Sequence, residues 1–94
     1  MDYFEEYRAL KREYPDSLLL VLMGNLYETF CEDAEAVSKT CGARLHMRRE
    51  GALAGLSKTY IEMHRQRLVA AGYQVVFAEE VGGKFRVAEP HAAK

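Results

Sequence analysis

The chain has 94 residues, of which 49% are hydrophobic and 29% charged, and a formal net charge of −1 at pH 7. This length predicts one domain over residues 1–94, with a single core and no room for an ATPase domain. The small net charge argues against strong, indiscriminate nucleic-acid binding, and the longest apolar run, Leu18–Met23, is too short to span a bilayer. With an acidic N-terminus in place of a secretory signal, we expect a cytoplasmic protein.

The N-terminal segment predicts a helix followed by a buried strand. Asp2 is placed to cap the helix, with Glu5 three residues later, and Pro15 to end it. The run Leu18–Met23 is wholly apolar, which is typical of a strand buried on both faces. The apolar stripe of the helix comprises Phe4, Tyr7, Leu10 and Tyr14.

The next segment predicts a second helix that begins after Gly24, with Asn25 as its cap, and ends at Gly42. A strand over Ala43–Arg48 and a short strand over Ala52–Ala54 follow. The apolar residues at helical spacing are Leu26, Phe30, Ala34, Val37 and Cys41.

The C-terminal segment predicts a third helix, capped by Thr59 with Glu62 and stopping at Gly72. A central strand over Gln74–Glu79 then turns at Gly82-Gly83 into a last strand, Phe85–Ala88. The expected fold is α/β of the mixed α+β kind, with three helices packed on a mixed sheet of about five strands. The ordered core covers about 3–88, and residues 89–94 should fray. The predicted core contains Leu20, Leu22, Phe30, Leu68, Val75 and Phe77.

The residues that carry chemistry form no recognisable catalytic or metal-binding pattern. Cys31 and Cys41 fit neither a metal site nor a disulfide framework and are expected to be reduced thiols. The three histidines are far apart in the chain and lack ligand-like partners. We therefore expect no enzymatic activity, cofactor, metal or small-molecule substrate.

Two segments resemble the N-terminal domain, domain I, of the MutS mismatch-repair family. Leu18–Phe30 resembles the strand-turn-helix that reads Met-Gly-Asp-Phe-Tyr-Glu-Leu-Phe in that family. Ala54-Gly55-Leu56, followed at family spacing by Leu68-Val69, Gly72, Val75-Val76 and Glu79, resembles a later part of the same domain. The resemblance covers roughly residues 3–88 and implies a free-standing DNA-binding module without the ATPase of a full MutS protein.

The resemblance also implies a site for reading mismatched bases. In the family, a Phe-x-Glu motif places a phenylalanine wedge on the mispaired base and a glutamate that bonds to it. Here those positions are Leu26 and Glu28, with Tyr27 between them as a support. Leucine lacks the ring that stacks on a base, an interaction that contributes about 1–3 kcal/mol. Other roles stay open, since Leu26 also fits the core of the second helix and Glu28 also fits a helix cap.

Basic residues in the second half of the chain are the candidates for phosphate contact. Residues 42–94 carry nine bases and five acids, whereas residues 1–41 carry four bases and nine acids. Arg48 resembles a family position that contacts phosphate, and Arg49 beside it is either a second contact or a solvated residue. Arg65 stands where the family usually has leucine, which leaves the third helix less buried or facing a partner. The predicted phosphate contacts are Arg44, Arg48, Arg49, Lys58 and Arg67.

These features support two hypotheses of different classes. The first is a module that binds double-stranded DNA and recognises duplex shape or distortion, mismatches included. The second is a protein-interaction module, with a protein partner or a second copy of the chain, that keeps the family scaffold but has lost mismatch reading. The substitution at Leu26 and the near-zero net charge favour the second hypothesis. So do two loops that are shorter than in the family, the turn after Arg48 and the hairpin at Gly82-Gly83.

Overall fold

The structure, a computed structural model, describes residues 2–90. In chain order the elements are α1 (Tyr3–Glu13), β1 (Leu18–Met23), β2 (Leu26–Phe30), α2 (Cys31–Cys41), β3 (His46–Arg48), β4 (Gly51–Ser57), a 3₁₀ turn (Lys58–Tyr60), α3 (Ile61–Ala70), β5 (Val75–Val81) and β6 (Lys84–Val87).

All strands belong to one mixed sheet. Its six strands lie in the order β3-β4-β2-β1-β5-β6, with β1 parallel to β5 and every other pair antiparallel. The predicted α+β architecture is therefore confirmed, with six strands in place of about five. As predicted, β1 and β5 are inner strands, and Leu19, Leu20 and Val21 have no solvent exposure.

The helices divide between the two faces of this sheet. We call the face covered by α2 and α3 the back face; its core includes Leu20, Val37, Leu68 and Phe77. The front face is the one on which α1 packs, and its core is Tyr7, Leu10, Leu19, Val21, Ala78 and Phe85. Among the predicted core residues, Leu20, Leu68 and Phe77 are at most 1% exposed. Leu22, Phe30 and Val75 are only partly buried and pack at the edges of the two cores.

A buried carboxylate ties α1 and α2 to the sheet. Asp33 accepts hydrogen bonds from the Tyr7 hydroxyl (2.5 Å) and the Leu19 amide (3.1 Å), and forms an ion pair with Lys11 (2.9 Å). This bond gives the Leu19 amide of β1 an acceptor at the point where β2 has ended and α2 has begun. Burial and the Asp33 charge raise the pKa of Tyr7 far above its ordinary range, so this phenol stays neutral and donates its hydrogen to Asp33.

The predicted start of the second helix is wrong. Leu26–Phe30 forms β2, and α2 begins only at Cys31. Asn25 is therefore a turn residue and not a cap, and Glu28 cannot be a capping residue because it lies in the middle of a strand. A spacing of four residues, as from Leu26 to Phe30, satisfies a strand period of two as well as a helical period of 3.6. Gly24, at a φ of +67°, starts a two-residue hairpin turn between β1 and β2.

Other element boundaries also differ from the expected ones. The strand predicted over Ala43–Arg48 is reduced to His46–Arg48 at the sheet edge, and the short strand predicted over Ala52–Ala54 extends over Gly51–Ser57. The predicted capping of α3 by Thr59 is wrong, because α3 begins after Tyr60, which makes no side-chain cap bond. Ser57 instead caps the preceding 3₁₀ turn, where its hydroxyl accepts the Thr59 amide at 3.2 Å. Asp2 caps α1 and Gly42 ends α2 as predicted.

Two further expectations concern the C-terminal tail and membrane-spanning helices. Residues 91–94 of the tail that we expected to fray lie outside them. Within residues 2–90, no helix is both long and apolar enough to cross a membrane.

Candidate nucleic-acid interface

Within residues 2–90, no helix covers one half of the front face. It forms a concave surface of about 210 Å³ whose lining comes only from β2, β4, β3 and the loop before β3. We call this the open surface. Its side chains are those of Leu26, Glu28, Arg44, His46, Arg48 and Leu53, around the backbone of Ala54 and Gly55.

The register of the strands explains why these residues share a face. Leu26 lies opposite Met23 and Glu28 opposite Val21, so both follow the front-face residues of β1. On the other side of β2, Glu28 lies opposite Gly55, and further along β4 Leu53 lies opposite His46 of β3. The sheet thus places the two predicted reader positions beside the basic residues of its edge.

Leu26 is the most exposed apolar side chain of this surface. It is the first residue of β2, directly after the Gly24-Asn25 turn, and is 45% exposed. The tight hairpin fixes its direction, because Met23 and Leu26 form the last pair of the β1–β2 ladder. The structure therefore presents an exposed leucine at the end of a tight hairpin.

Glu28 is half-buried in the same surface. Its partial burial raises the pKa of the carboxyl group above the usual 4.5, and the nearby Arg48 guanidinium opposes that shift. No side-chain hydrogen bond or ion pair joins the Glu28 carboxyl group to another described residue. The carboxyl group is therefore free to accept a hydrogen bond from a ligand.

Four of the five predicted phosphate contacts lie in or beside the open surface. Arg44 and Arg48 line it, and Arg49 is in the turn that follows β3. Lys58 directly follows β4 at the opposite end, where its amide donates to the Asn25 carbonyl at 2.9 Å. The seven residues of β4 separate Arg49 from Lys58 by about 20 Å, at about 3.3 Å per residue. These bases are therefore spread along the length of β4.

Two predicted site residues lie elsewhere. Tyr27 points to the back face, is 3% exposed and packs edge-on against Phe77 at 5.4 Å. It supports the strand that carries Leu26 and Glu28 but is not at the surface. Arg67 lies on α3, near Cys41 and His64 of the back-face layer. Arg65, also on α3, stacks over the Phe77 ring at 4.7 Å, so it is packed within the chain.

Sequence reasoning missed three residues of the open surface, namely His46, Leu53 and Gly55. His46 was considered only as a catalytic candidate, and Leu53 only as part of a short strand. Gly55 carried a usable signal, because a glycine inside a strand often marks a close approach of another molecule. Which side chains of β4 lie on the front face could not be predicted without knowing how β4 pairs with β2.

The sequence comparisons point to one family. The family model for MutS domain I matches residues 2–88. The chain is 36% identical over 77 residues to the DNA mismatch repair protein MutS of Thermotoga neapolitana, a match that covers 82% of the chain and 10% of that protein. It is 40% identical over 83 residues to the MutS protein of Methanothrix thermoacetophila, with 82% and 10% covered.

These matches define a class of protein, the mismatch-recognition domains. The chain belongs to the MutS domain I family. It spans about a tenth of the length of the curated relatives that it matches.

Proposed function

We propose that this chain binds double-stranded DNA through the open surface and recognises distorted duplexes without ATP hydrolysis. One observation carries the proposal: the sheet and the loop before β3 bring Leu26, Glu28, Arg44 and Arg48 together in a concave surface that no described helix lines. The proposal therefore rests on this geometry together with membership of the family.

The division of labour follows from the chemistry of the side chains. Arg44, Arg48, Arg49 and Lys58 neutralise phosphates, which supplies affinity that does not depend on sequence. Leu26 enters the minor groove beside a weakened base step, where a mismatch or an unpaired base lowers the cost of opening the stack. Glu28 accepts a hydrogen bond from the base that this opening exposes.

The free thiols of Cys31 and Cys41 suit a reducing compartment. We therefore place this activity in the cytoplasm.

A titration against perfect, mismatched and bulged duplexes tests the proposal. Affinity should fall as salt rises from about 50 to about 200 mM, because counterions are released at each phosphate contact. At either salt concentration the distorted duplexes should bind more tightly than the perfect one. Undetectable binding at the lower salt concentration would refute the proposal.

The second candidate function is a protein-interaction module. The observation in its favour is that α3 and the turn before it expose Tyr60 (59%), Met63 (42%) and Val69 (56%). Exposed apolar side chains of this kind can mark a contact with a protein partner or a second copy of the chain. This function predicts a concentration-dependent increase in mass in sedimentation experiments without DNA, together with no duplex binding.

A further inference from the structure

A cavity separate from the open surface lies at the end of β1 that is opposite the Gly24-Asn25 turn. β1 pairs with β2 only over Val21–Met23, so the two chains separate towards Leu18 at the start of β1. The space at this separation, bordered by α1 and the start of α2, is a cavity of about 400 Å³. This volume lies within the usual range for small-molecule sites, about 300–1,000 Å³. Among residues 2–90, none lines both this cavity and the open surface.

Four aromatic side chains line the cavity. The ring of Phe30 meets the rings of Phe4 and Tyr7 edge-on, at centroid distances of 5.8 Å and 4.9 Å. Tyr73, in the loop before β5, lines the cavity from the other side of β1. Because the faces of aromatic rings carry partial negative charge, walls of this kind favour apolar groups and cations.

The cationic side chains of the lining already have partners within the chain. Lys11 forms an ion pair with Asp33 at 2.9 Å, and Asp33 also accepts the Tyr7 hydroxyl. Arg8 forms an ion pair with Glu5 at 3.7 Å. The lining therefore offers no cation that lacks a carboxylate partner, and an anionic ligand would have to compete with these carboxylates.

Two carboxylates of the lining have no cationic partner. Asp16 lies in the loop before β1, and Glu32 lies in the first turn of α2. Both are exposed, and neither forms an ion pair with another residue of the range 2–90. The N-terminus of α2 supplies a partial charge of about +0.5, which offsets only part of the two negative charges. The charge left over beside the aromatic walls is therefore negative.

The backbone of Cys31 is a further sign of a ligand site at this position. Cys31 lines the cavity where β2 ends and α2 begins, and within residues 2–90 it is the one non-glycine residue with a positive φ, +56°. A side chain in this left-handed conformation is strained, and strain of this kind concentrates at ligand and active sites.

We propose that this cavity binds a small organic ammonium cation with an apolar body, of the arylalkylamine class. The apolar body packs between the rings of Phe30 and Tyr73. The carboxylates of Asp16 and Glu32 accept hydrogen bonds from the ammonium group at the rim, and the ring faces stabilise its charge. The site goes beyond the proposed DNA binding and does not depend on it.

The test titrates the DNA-free chain by calorimetry with phenethylammonium and with phenylpropionate, an anion of similar shape. The cation should bind and the anion should not. Glu32→Gln and Asp16→Asn should each weaken cation binding about two- to fivefold, the range of an exposed charge pair. Tyr73→Ala should weaken it by a similar factor, since one cation–π contact is lost. The matched controls, Glu35→Gln on the same helix and Tyr60→Ala, replace exposed residues outside the cavity and should change nothing.

Alkylation of the two free thiols shows where the cation binds. Cys31 lines the cavity and Cys41 does not. Phenethylammonium should slow the reaction of Cys31 with iodoacetamide severalfold and leave the reaction of Cys41 unchanged. Protection of both thiols, or of neither, overturns the site, as does equal binding of the anion or equal loss in the control variants. Tighter binding of a capped lysine than of phenethylammonium would assign the ammonium group to a partner protein and overturn the small-molecule ligand.

Discussion

The two halves of the front face are built on neighbouring strands, yet one half is buried and the other is exposed. Beneath α1, Val21 of β1 is 0% exposed, and Tyr7 of the helix is 4% exposed. One strand away, Leu26 is 45% exposed beside the partly buried Glu28. Both halves alternate side chains in the same way, so the difference arises from where α1 lies. The covered half carries stability, and the open half presents polar and basic groups around an apolar tip.

The largest expected effect is the loss of stability when the buried carboxylate near the covered half is removed. Asp33→Ala leaves Lys11 without its ion-pair partner and leaves the Leu19 amide and Tyr7 hydroxyl without their acceptor. Breaking a buried charged network by removing one partner costs about 3–5 kcal/mol of unfolding free energy. Urea denaturation measures this loss. The matched control is Glu35→Ala, an exposed acid on the same helix, which should change stability by less than about 0.5 kcal/mol. Equal effects of the two substitutions would contradict the network.

The next largest effect is a loss of duplex binding that should follow from replacing basic residues of the front face but not of the back face. Replacing Arg44 and Arg48 by alanine should flatten the slope of log affinity against log salt by about two units. Near 0.1 M salt this corresponds to a loss of duplex affinity of about 50-fold. The two side chains are exposed, so the melting temperature should hardly change.

The control for this pair removes the same charge from the back-face helices. Lys39 and Arg67 are both exposed there, on α2 and α3 respectively. Their double replacement by alanine should leave the salt slope nearly unchanged. If it flattens the slope as strongly, the duplex contacts α3, as the prediction for Arg67 from sequence requires, and the open surface is not the main interface.

A smaller effect tests the position of Leu26. Leu26→Phe adds an aromatic ring at the end of the β1–β2 hairpin. It should raise the affinity for a mismatched duplex by about 5- to 30-fold, because stacking on a base contributes about 1–2 kcal/mol. Perfect duplex should gain little, since its stacked steps resist opening. Equal gains for both duplexes, or no gain, would mean that Leu26 does not lie at the base step.

The smallest effect concerns the charge of Glu28. Its partial burial raises the pKa of the carboxyl group above 4.5, and a nearby phosphate would raise it further. Binding should therefore take up a proton, so that duplex affinity falls severalfold as the pH rises from about 5 to about 7. Glu28→Gln should abolish this fall. His46→Gln is the comparison, because His46 lines the same open surface.

The same shift in Glu28 has a consequence for folding. A carboxyl group whose pKa is raised in the folded state favours folding most when it is protonated. Its contribution is fully present below the unfolded-state pKa and is lost as the pH rises through the folded-state pKa. Stability of the wild type should therefore decline slightly just above pH 4.5, and Glu28→Gln should remove that part of the decline.

The sequence predicted most of the fold because the signals were local and consistent. Asp2, Pro15, Gly42 and the Gly82-Gly83 turn each mark the end of an element by their own backbone chemistry. The apolar run Leu18–Met23 requires burial on both faces, which fixed β1 as an inner strand.

The open surface was only partly predictable because it depends on pairing between strands. Leu26 and Glu28 were identified from the family motif, although their segment was assigned to a helix. Recognising Gly55 and His46 as their neighbours requires the register of β2 with β4 and of β4 with β3. That register is a long-range property, and no local pattern in this chain specifies it.

The most direct test of the account is a backbone amide NMR titration of the chain with a mismatched DNA duplex at low salt. The account predicts that chemical-shift changes concentrate on β2, β4 and β3, with Leu26, Glu28, Arg48 and Gly55 among the most affected. Amides of α1 and α3 should change little. The largest changes on α3, around Met63 and Arg67, or no changes at any amide, would contradict the assignment of DNA binding to the open surface.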